Sequence, residues 1–272
     1  EISPEAGLKD FLSEIKIISQ ENQGLSAARN AGVLASEGEY LQFVDGDDCL
    51  LPNYSDCLQP IFQNGYDMLF FGSVADKATS LPGKTKHIGT GVEYLLHNNL
   101  RASACGFVFK KHLLGDDLKF TKGILHEDEE FTPLLTLRAK NVAEYSSSAY
   151  FYRVRENSIV HSVDKEHIQR RIDDFIGVIV RLHKELPALD YKEQKALIRR
   201  IDQLSMDLFY NVILLTGDQS KAQGTLALLH SKGVNPMPVR LHTLKYFVFS
   251  VLSKTSIGRK LIYSIVKSKS NN

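Results

Sequence analysis

The chain has 272 residues, 43% hydrophobic and 24% charged, with 18 Gly and 8 Pro; it can bury the core of one large domain, or of a domain with an appendage, and is neither disordered nor collagen-like. Its formal net charge of +1 hides an asymmetry: Asp218 is the last acidic residue, and Lys221, Lys232, Arg240, Lys245, Lys254, Arg259, Lys260, Lys267 and Lys269 follow it. The body before them is net acidic, which argues against a general nucleic-acid footprint and confines attraction for anions to the tail.

Through about residue 155, apolar runs of strand length alternate with helical patterns, the signature of an α/β domain. Residues 15–19 (IKIIS) read as a short buried strand, and Ser26 as the cap of a helix over 27–36 that Gly38 stops. Residues 40–44 (YLQFV) form the next expected strand, running directly into Asp45, Gly46, Asp47 and Asp48. A third strand is expected over 67–74, then a loop over 76–90, where Pro82, Gly83 and Gly89 interrupt any regular pattern. Residues 91–98 suit a short helix, 105–109 a strand, and 149–154 (AYFYRV) a closing strand. Before that last strand, Glu127, Asp128, Glu129 and Glu130 precede Phe131, Leu134, Leu135 and Leu137 at helical spacing. Pro133 leaves the start of this helix open: Thr132 could cap it with Pro133 first, or Pro133 could sit inside it at the loss of a hydrogen bond.

From Asp164 onward only helical periods recur, in Ile172, Phe175, Ile176, Ile179, Val180 and Leu182, in Leu204, Leu208, Ile213 and Leu215, and within 225–230. In the tail, Leu241, Leu244, Phe247, Val248, Val251 and Leu252 lie beside Arg240, Lys245 and Lys254; this suits a helix in an anionic membrane interface, or one packed on the body. No apolar run approaches the roughly 20 residues of a membrane span, and no basic start with an apolar block opens the chain. Cys49, Cys57 and Cys105 are odd in number and lack CxxC spacing, so neither a disulfide framework nor a structural zinc site is expected. These features point to a cytoplasmic protein, with peripheral contact at the inner membrane face open to the tail.

Two acidic segments carry the chemistry. Asp45 and Asp47 follow an apolar strand, at the carboxyl end where α/β sheets place ligands, with Gly46 allowing close backbone approach. A hard divalent cation takes such carboxylates together with substrate phosphates; the competing reading is an acidic turn. The second segment, His126 to Glu130 (HEDEE), either caps a helix and offsets its dipole or supplies a base whose pKa the crowded carboxylates raise. Cys105, inside an apolar strand, reads as core rather than as a nucleophile.

The segment ENQGLSAARNAGVLASEGEYLQFVDGDDCLLP, followed in order by HEDEEF and YFYRVRENSI, resembles the family-2 glycosyltransferases of GT-A fold. The resemblance implies a Rossmann-like mixed sheet flanked by helices over residues 1–160, with a helical C-terminal region over 161–272. It also implies inverting transfer from a nucleotide diphosphate sugar, most often a UDP-sugar, to a glycan or lipid-linked hydroxyl. Asp45 and Asp47 match the DxD positions that hold Mn²⁺ or Mg²⁺ on the donor diphosphate. Asp128 matches the base, with Glu127 beside it; Arg29 matches a position near the nucleotide, and Arg153 and Arg155 a basic segment near the diphosphate. The alternative from another class is a catalytically silent module of the same fold that binds a sugar nucleotide or glycan. The family's usual opening, a strand, helix and second strand ending in a DDGS-type motif, has no counterpart before Ile15. That departure implies a missing front portion or an incomplete nucleotide pocket, and weak donor binding by this chain.

Overall fold

The computed structural model describes residues 15–75, 81–154 and 164–270. A six-stranded mixed sheet, made of β1 (Tyr40–Leu41), β2 (Cys49–Leu50), β3 (Met68–Val74), β4 (Thr85–Gly89), β5 (Phe107–Lys110) and β6 (Val142–Phe151), lies at its centre. The strand order is β1-β5-β3-β6-β2, with β4 also pairing β6; only β3 and β6 run parallel. The helices are α1 (Leu25–Ala35), α2 (Tyr54–Asn64), α3 (Gly91–His97), α4 (Glu127–Arg138), α5 (Lys165–Glu185), α6 (Tyr191–Thr216), α7 (Gln219–Ser231), α8 (Leu244–Ser253) and α9 (Ser256–Ser270).

The two-residue period of a strand divides the central side chains between the two faces of the sheet. Met68 and Phe70 of β3, Phe107 and Phe109 of β5 and Val142 of β6 join the larger core; Leu69, Phe71, Val108, Ala143 and Tyr145 join a smaller one under α2. The larger core continues without interruption through α3 and α4 into α5, α6 and the C-terminal helices, as far as Val266. Gly91 permits the close seating of α3 on the end of α4: its N–H donates to Ala139 O at 2.8 Å, and a Cβ there would lie 1.6 Å from Thr136 O.

Local chemistry explains the helices that match expectation. A capping box of Thr90 and Glu93 starts α3, another of Asp190 and Glu193 starts α6, and Asp164 caps α5 by accepting from His167 N. Elsewhere the structure differs. Residues 15–19 form no strand, and Ile15, Ile17 and Ile18 are exposed. Gly24, at φ 84°, rather than Ser26 precedes α1; the Ser26 side chain is buried in the first turn. Only Tyr40 and Leu41 of YLQFV pair, because β5 offers them just Lys110 and Phe109. Residues 85–89, expected in a loop, are a strand held by β6; residues 76–80 lie outside the described residues. Cys105 precedes its strand instead of lying in it, though it is buried as expected. The closing strand starts at Val142 and ends at Phe151, which leaves Arg153 beyond it.

Candidate active site

The segment between β1 and β2 is anchored from below and pinned at its tip. Phe43 packs edge-on to Phe120 at 5.2 Å and against Phe109 and Phe131, so Asp45, two residues on, stands at the rim of the core. Gly46 and Asp47 form the turn, closed by Asp48 N donating to Asp45 O at 3.0 Å. Asp48 is a latch: its Oδ2 accepts from the Tyr150 hydroxyl at 2.7 Å and its Oδ1 from Arg153 N at 2.9 Å. The same Tyr150 hydroxyl accepts from Asp45 N at 3.1 Å. Burial and the acidic neighbour hold the Tyr150 phenol protonated, well above its ordinary pKa. Burial likewise pushes the Cys105 thiol up to about 11, consistent with a core residue.

Arg29, from α1, joins the two acidic segments. Its Nη2 donates to Asp45 Oδ1 at 3.1 Å and its Nη1 to Glu127 Oε1 at 2.7 Å, 98 positions away in sequence. Arg29 and Glu127 are each only 9% exposed, and the guanidinium lies over the rings of Phe120 and Phe43 at 5.3 and 5.9 Å. The paired carboxylates outweigh the desolvation that opposes them and raise the pKa of Arg29, so it stays charged.

His126, in the left-handed region at φ 64°, turns the chain into α4 and stacks on Phe175 at 4.9 Å between centroids. A residue other than glycine held there needs surroundings that enforce it, and such positions cluster at functional sites. Burial first, then Arg171, lowers the pKa of His126, so it enters this acidic turn uncharged at neutral pH. The helix begins at Glu127, placing Pro133 inside it, where Glu129 O loses its usual donor.

The four consecutive carboxyls meet different fates. Glu127 pairs with Arg29, Glu129 with Arg200 of α6, and Glu130 with Arg181 of α5 at 2.8 Å. Asp128 has no ion pair among the described residues; it is half-buried, and its Oδ1 accepts from Glu129 N at 2.9 Å. Burial, with Glu129 and Glu127 adding repulsion, pushes the Asp128 carboxyl up to about 7.

The geometry therefore brings Asp45, Glu127 and Arg29 into direct contact, with Asp128 adjacent and Asp47 at the neighbouring turn. Arg153 contributes its backbone rather than its guanidinium to this network, and Arg155 lies outside the described residues. Arg181 and Arg200 complete the site without a sequence signal, since neither lies in a motif; Tyr150 opens YFYRVRENSI, but that segment does not mark its hydroxyl as the partner of Asp45 and Asp48. A cavity of about 370 Å³ opens beside it, its lining including Asp45, Asp48, Tyr150, Tyr94, Arg101 and Glu144.

Comparison with known proteins bears on the family and the fold. Residues 4–115 match the model of glycosyl transferase family 2. The chain is 27% identical over 169 residues to EpsH of Bacillus subtilis (strain 168), provisionally named a glycosyltransferase, covering 57% of this chain and 48% of EpsH. It is 29% identical over 162 residues to the glycosyltransferase GlyA of Streptococcus pneumoniae, covering 53% of this chain and 23% of GlyA. It thus spans about half the length of EpsH and less of GlyA. The crystal structure of S. aureus TarS 1–349 in complex with UDP-GlcNAc superposes with a TM-score of 0.65 at 16% identity, over 96% of this chain and 77% of that one. The shared architecture is the GT-A fold, a mixed sheet flanked by helices with a helical C-terminal region. Over residues 4–115 the chain is thus similar to glycosyl transferase family 2, and its fold is that of the GT-A glycosyltransferases.

Proposed function

We propose that the chain transfers a sugar from a nucleotide diphosphate sugar, a UDP-sugar in the simplest case, to the hydroxyl of a glycan or lipid-linked acceptor, inverting the anomeric centre. One observation carries this reading: of four adjacent carboxyls three are neutralised by arginines, and the fourth, Asp128, titrates near neutrality beside the Asp45 segment. A base is most effective when its pKa lies near the operating pH. Asp128 takes the acceptor's proton while the acceptor oxygen bonds to the anomeric carbon. The bond from that carbon to the diphosphate oxygen breaks on the opposite face, and its electron pair leaves with the nucleoside diphosphate. Glu127 and Arg29 hold the start of α4 against the Asp45 loop, fixing where the base stands.

The donor set fits a hard divalent cation. Asp48 commits both oxygens to Tyr150 and Arg153, whereas Asp45 gives Oδ1 to Arg29; Asp45, with Asp47 in the turn two residues on, supplies carboxylates of the kind such a cation takes. No group of three metal-binding side chains occurs among the described residues. One or two carboxylates completed by phosphate oxygens is the shell that Mg²⁺ commonly takes. Asp45 and Asp47 would thus hold Mn²⁺ or Mg²⁺, which when bound neutralises charge developing on the diphosphate. The basic residue Arg153, and Arg155 after it, are assigned to the diphosphate side of the donor.

The UDP-GlcNAc bound by TarS supports beginning with UDP-linked donors. The protein is expected to release UDP from one UDP-sugar in a Mn²⁺-dependent manner. Asp47→Asn should raise the Mn²⁺ requirement at least about 10–100-fold, a loss that even outer-shell changes produce. Release that ignores both Mn²⁺ and Asp47→Asn would refute the metal role.

The acceptor side is assigned to the cytoplasmic membrane face. No helix among the described residues is long and apolar enough to cross a membrane. The pair α8–α9 nevertheless turns Leu244, Val248, Val251, Ile257, Leu261 and Ile265 outward, Ile257 at 80% exposure, while Tyr246, Ser250 and Ser253 face inward. Lys245, Lys254, Arg259, Lys260 and Lys267 accompany that face with no acidic residue in either helix. An apolar face flanked only by cations matches the interface of an anionic bilayer.

A further inference from the structure

Where the chain enters α8, a cavity of about 580 Å³ is lined by His97, Lys195, Arg199, Arg240 and His242 with three aliphatic side chains, among them Leu241. None of its lining residues is acidic. One carboxylate lies behind it: buried Asp202 accepts from Arg240 Nη1 at 2.7 Å and contacts His242 Nε2 at 2.8 Å through the same Oδ2. The other cations have no such partner. Lys195 stands 4.3 Å over the Tyr191 ring and makes no ion pair among the described residues. Arg199, only 4% exposed, donates to the carbonyls of Leu95 and Asn98 and to Asn99 Oδ1, and its Nε has no partner. A buried guanidinium balanced only by carbonyl dipoles is costly, and an anion in the cavity would offset that cost.

We propose that this cavity binds a phosphate group, supplied by the headgroup of an anionic lipid. The lipid source follows from continuity: Leu241, 78% exposed, lines the cavity and leads into the outward apolar side of α8 that begins with Leu244. This assignment of the source rests on the membrane reading above, whereas the phosphate site does not. His97 and Lys195 are exposed and stand apart from the active-site residues, so alanine there spares both fold and catalysis.

The test uses phosphatidylcholine vesicles with and without phosphatidylglycerol, and sn-glycerol 3-phosphate in solution. Wild-type chain should bind the phosphatidylglycerol vesicles more tightly. Lys195→Ala should weaken that binding about five-fold, the effect of one basic residue at a charged surface, and leave phosphatidylcholine binding unchanged. Val248→Asp should weaken both. Glycerol 3-phosphate should shift the imidazole resonances of His97 and His242. Unmoved resonances, together with Lys195→Ala binding as wild type does, would overturn the phosphate site whatever the vesicle affinity. Shifted resonances without vesicle binding would uphold the site, make free phosphate its source and overturn the membrane reading alone.

Discussion

Asp128→Asn should lower the rate of sugar transfer by about 10²–10⁴-fold, the usual contribution of a positioned general base. Its pH dependence separates this role from a structural one. The base must be ionised to act, and its pKa lies near 7, so wild-type kcat/KM should fall as pH drops below about 7. The residual activity of Asp128→Asn should lack that acid limb. Stability should move the other way. Because the folded-state pKa is raised above the ordinary 3.8, the folded chain binds more protons than the unfolded one between about pH 4 and 7. Stability from this group is therefore present at low pH and lost as pH rises through that window. Asp128→Asn removes the cost, so at pH 7.5 its Tm should exceed that of wild type by about 2–4 °C, the shift of one kcal/mol in a chain of this size. The gain should vanish near pH 4. An asparagine variant that keeps wild-type transfer, or loses stability at pH 7.5, would remove Asp128 from the reaction.

Arg29→Met should destabilise the chain by about 3–5 kcal/mol, because it strands the buried Glu127 carboxylate and takes away the link to α1. Asp45 contributes less to the loss, being 34% exposed and partly screened by water. Arg29→Lys should recover little, since one ammonium cannot span Asp45 and Glu127 as the two arms of a guanidinium do. The double variant Arg29→Met with Glu127→Gln should regain much of the loss, the stranded charge having been removed. Urea denaturation of the four proteins provides the check; a single variant as stable as wild type would show that the bridge is not holding the two acidic segments together.

Where sequence and structure agree, the deciding interactions are short-range. The Thr90–Glu93 box satisfies helix donors within four residues, and the alternating faces of MLFF need only an apolar layer on each side. Where they disagree, a distant partner decides. IKIIS has the composition of a strand, but among the described residues no strand pairs with it. The polar TKHIG at 85–89 lacks that composition, yet β6 presents Val142 to Tyr145 as a ready edge and a strand forms. Pairing, rather than propensity, sets these outcomes.

The same division runs through the candidate site. Sequence by itself determined that two acidic segments exist, that one follows an apolar strand, that the other opens a helix, and that the tail is basic and amphipathic. Those properties reside in residue types and their spacing along a few turns of chain. Which carboxyl of HEDEE stays available was decided only by tertiary structure. Arg29, Arg181 and Arg200 come from three separate helices, and folding alone carries them to Glu127, Glu130 and Glu129. Asp128 acquires its raised pKa because packing removes water from around it and Glu129 and Glu127 repel its charge, while it has no ion pair among the described residues, a balance that no local pattern encodes.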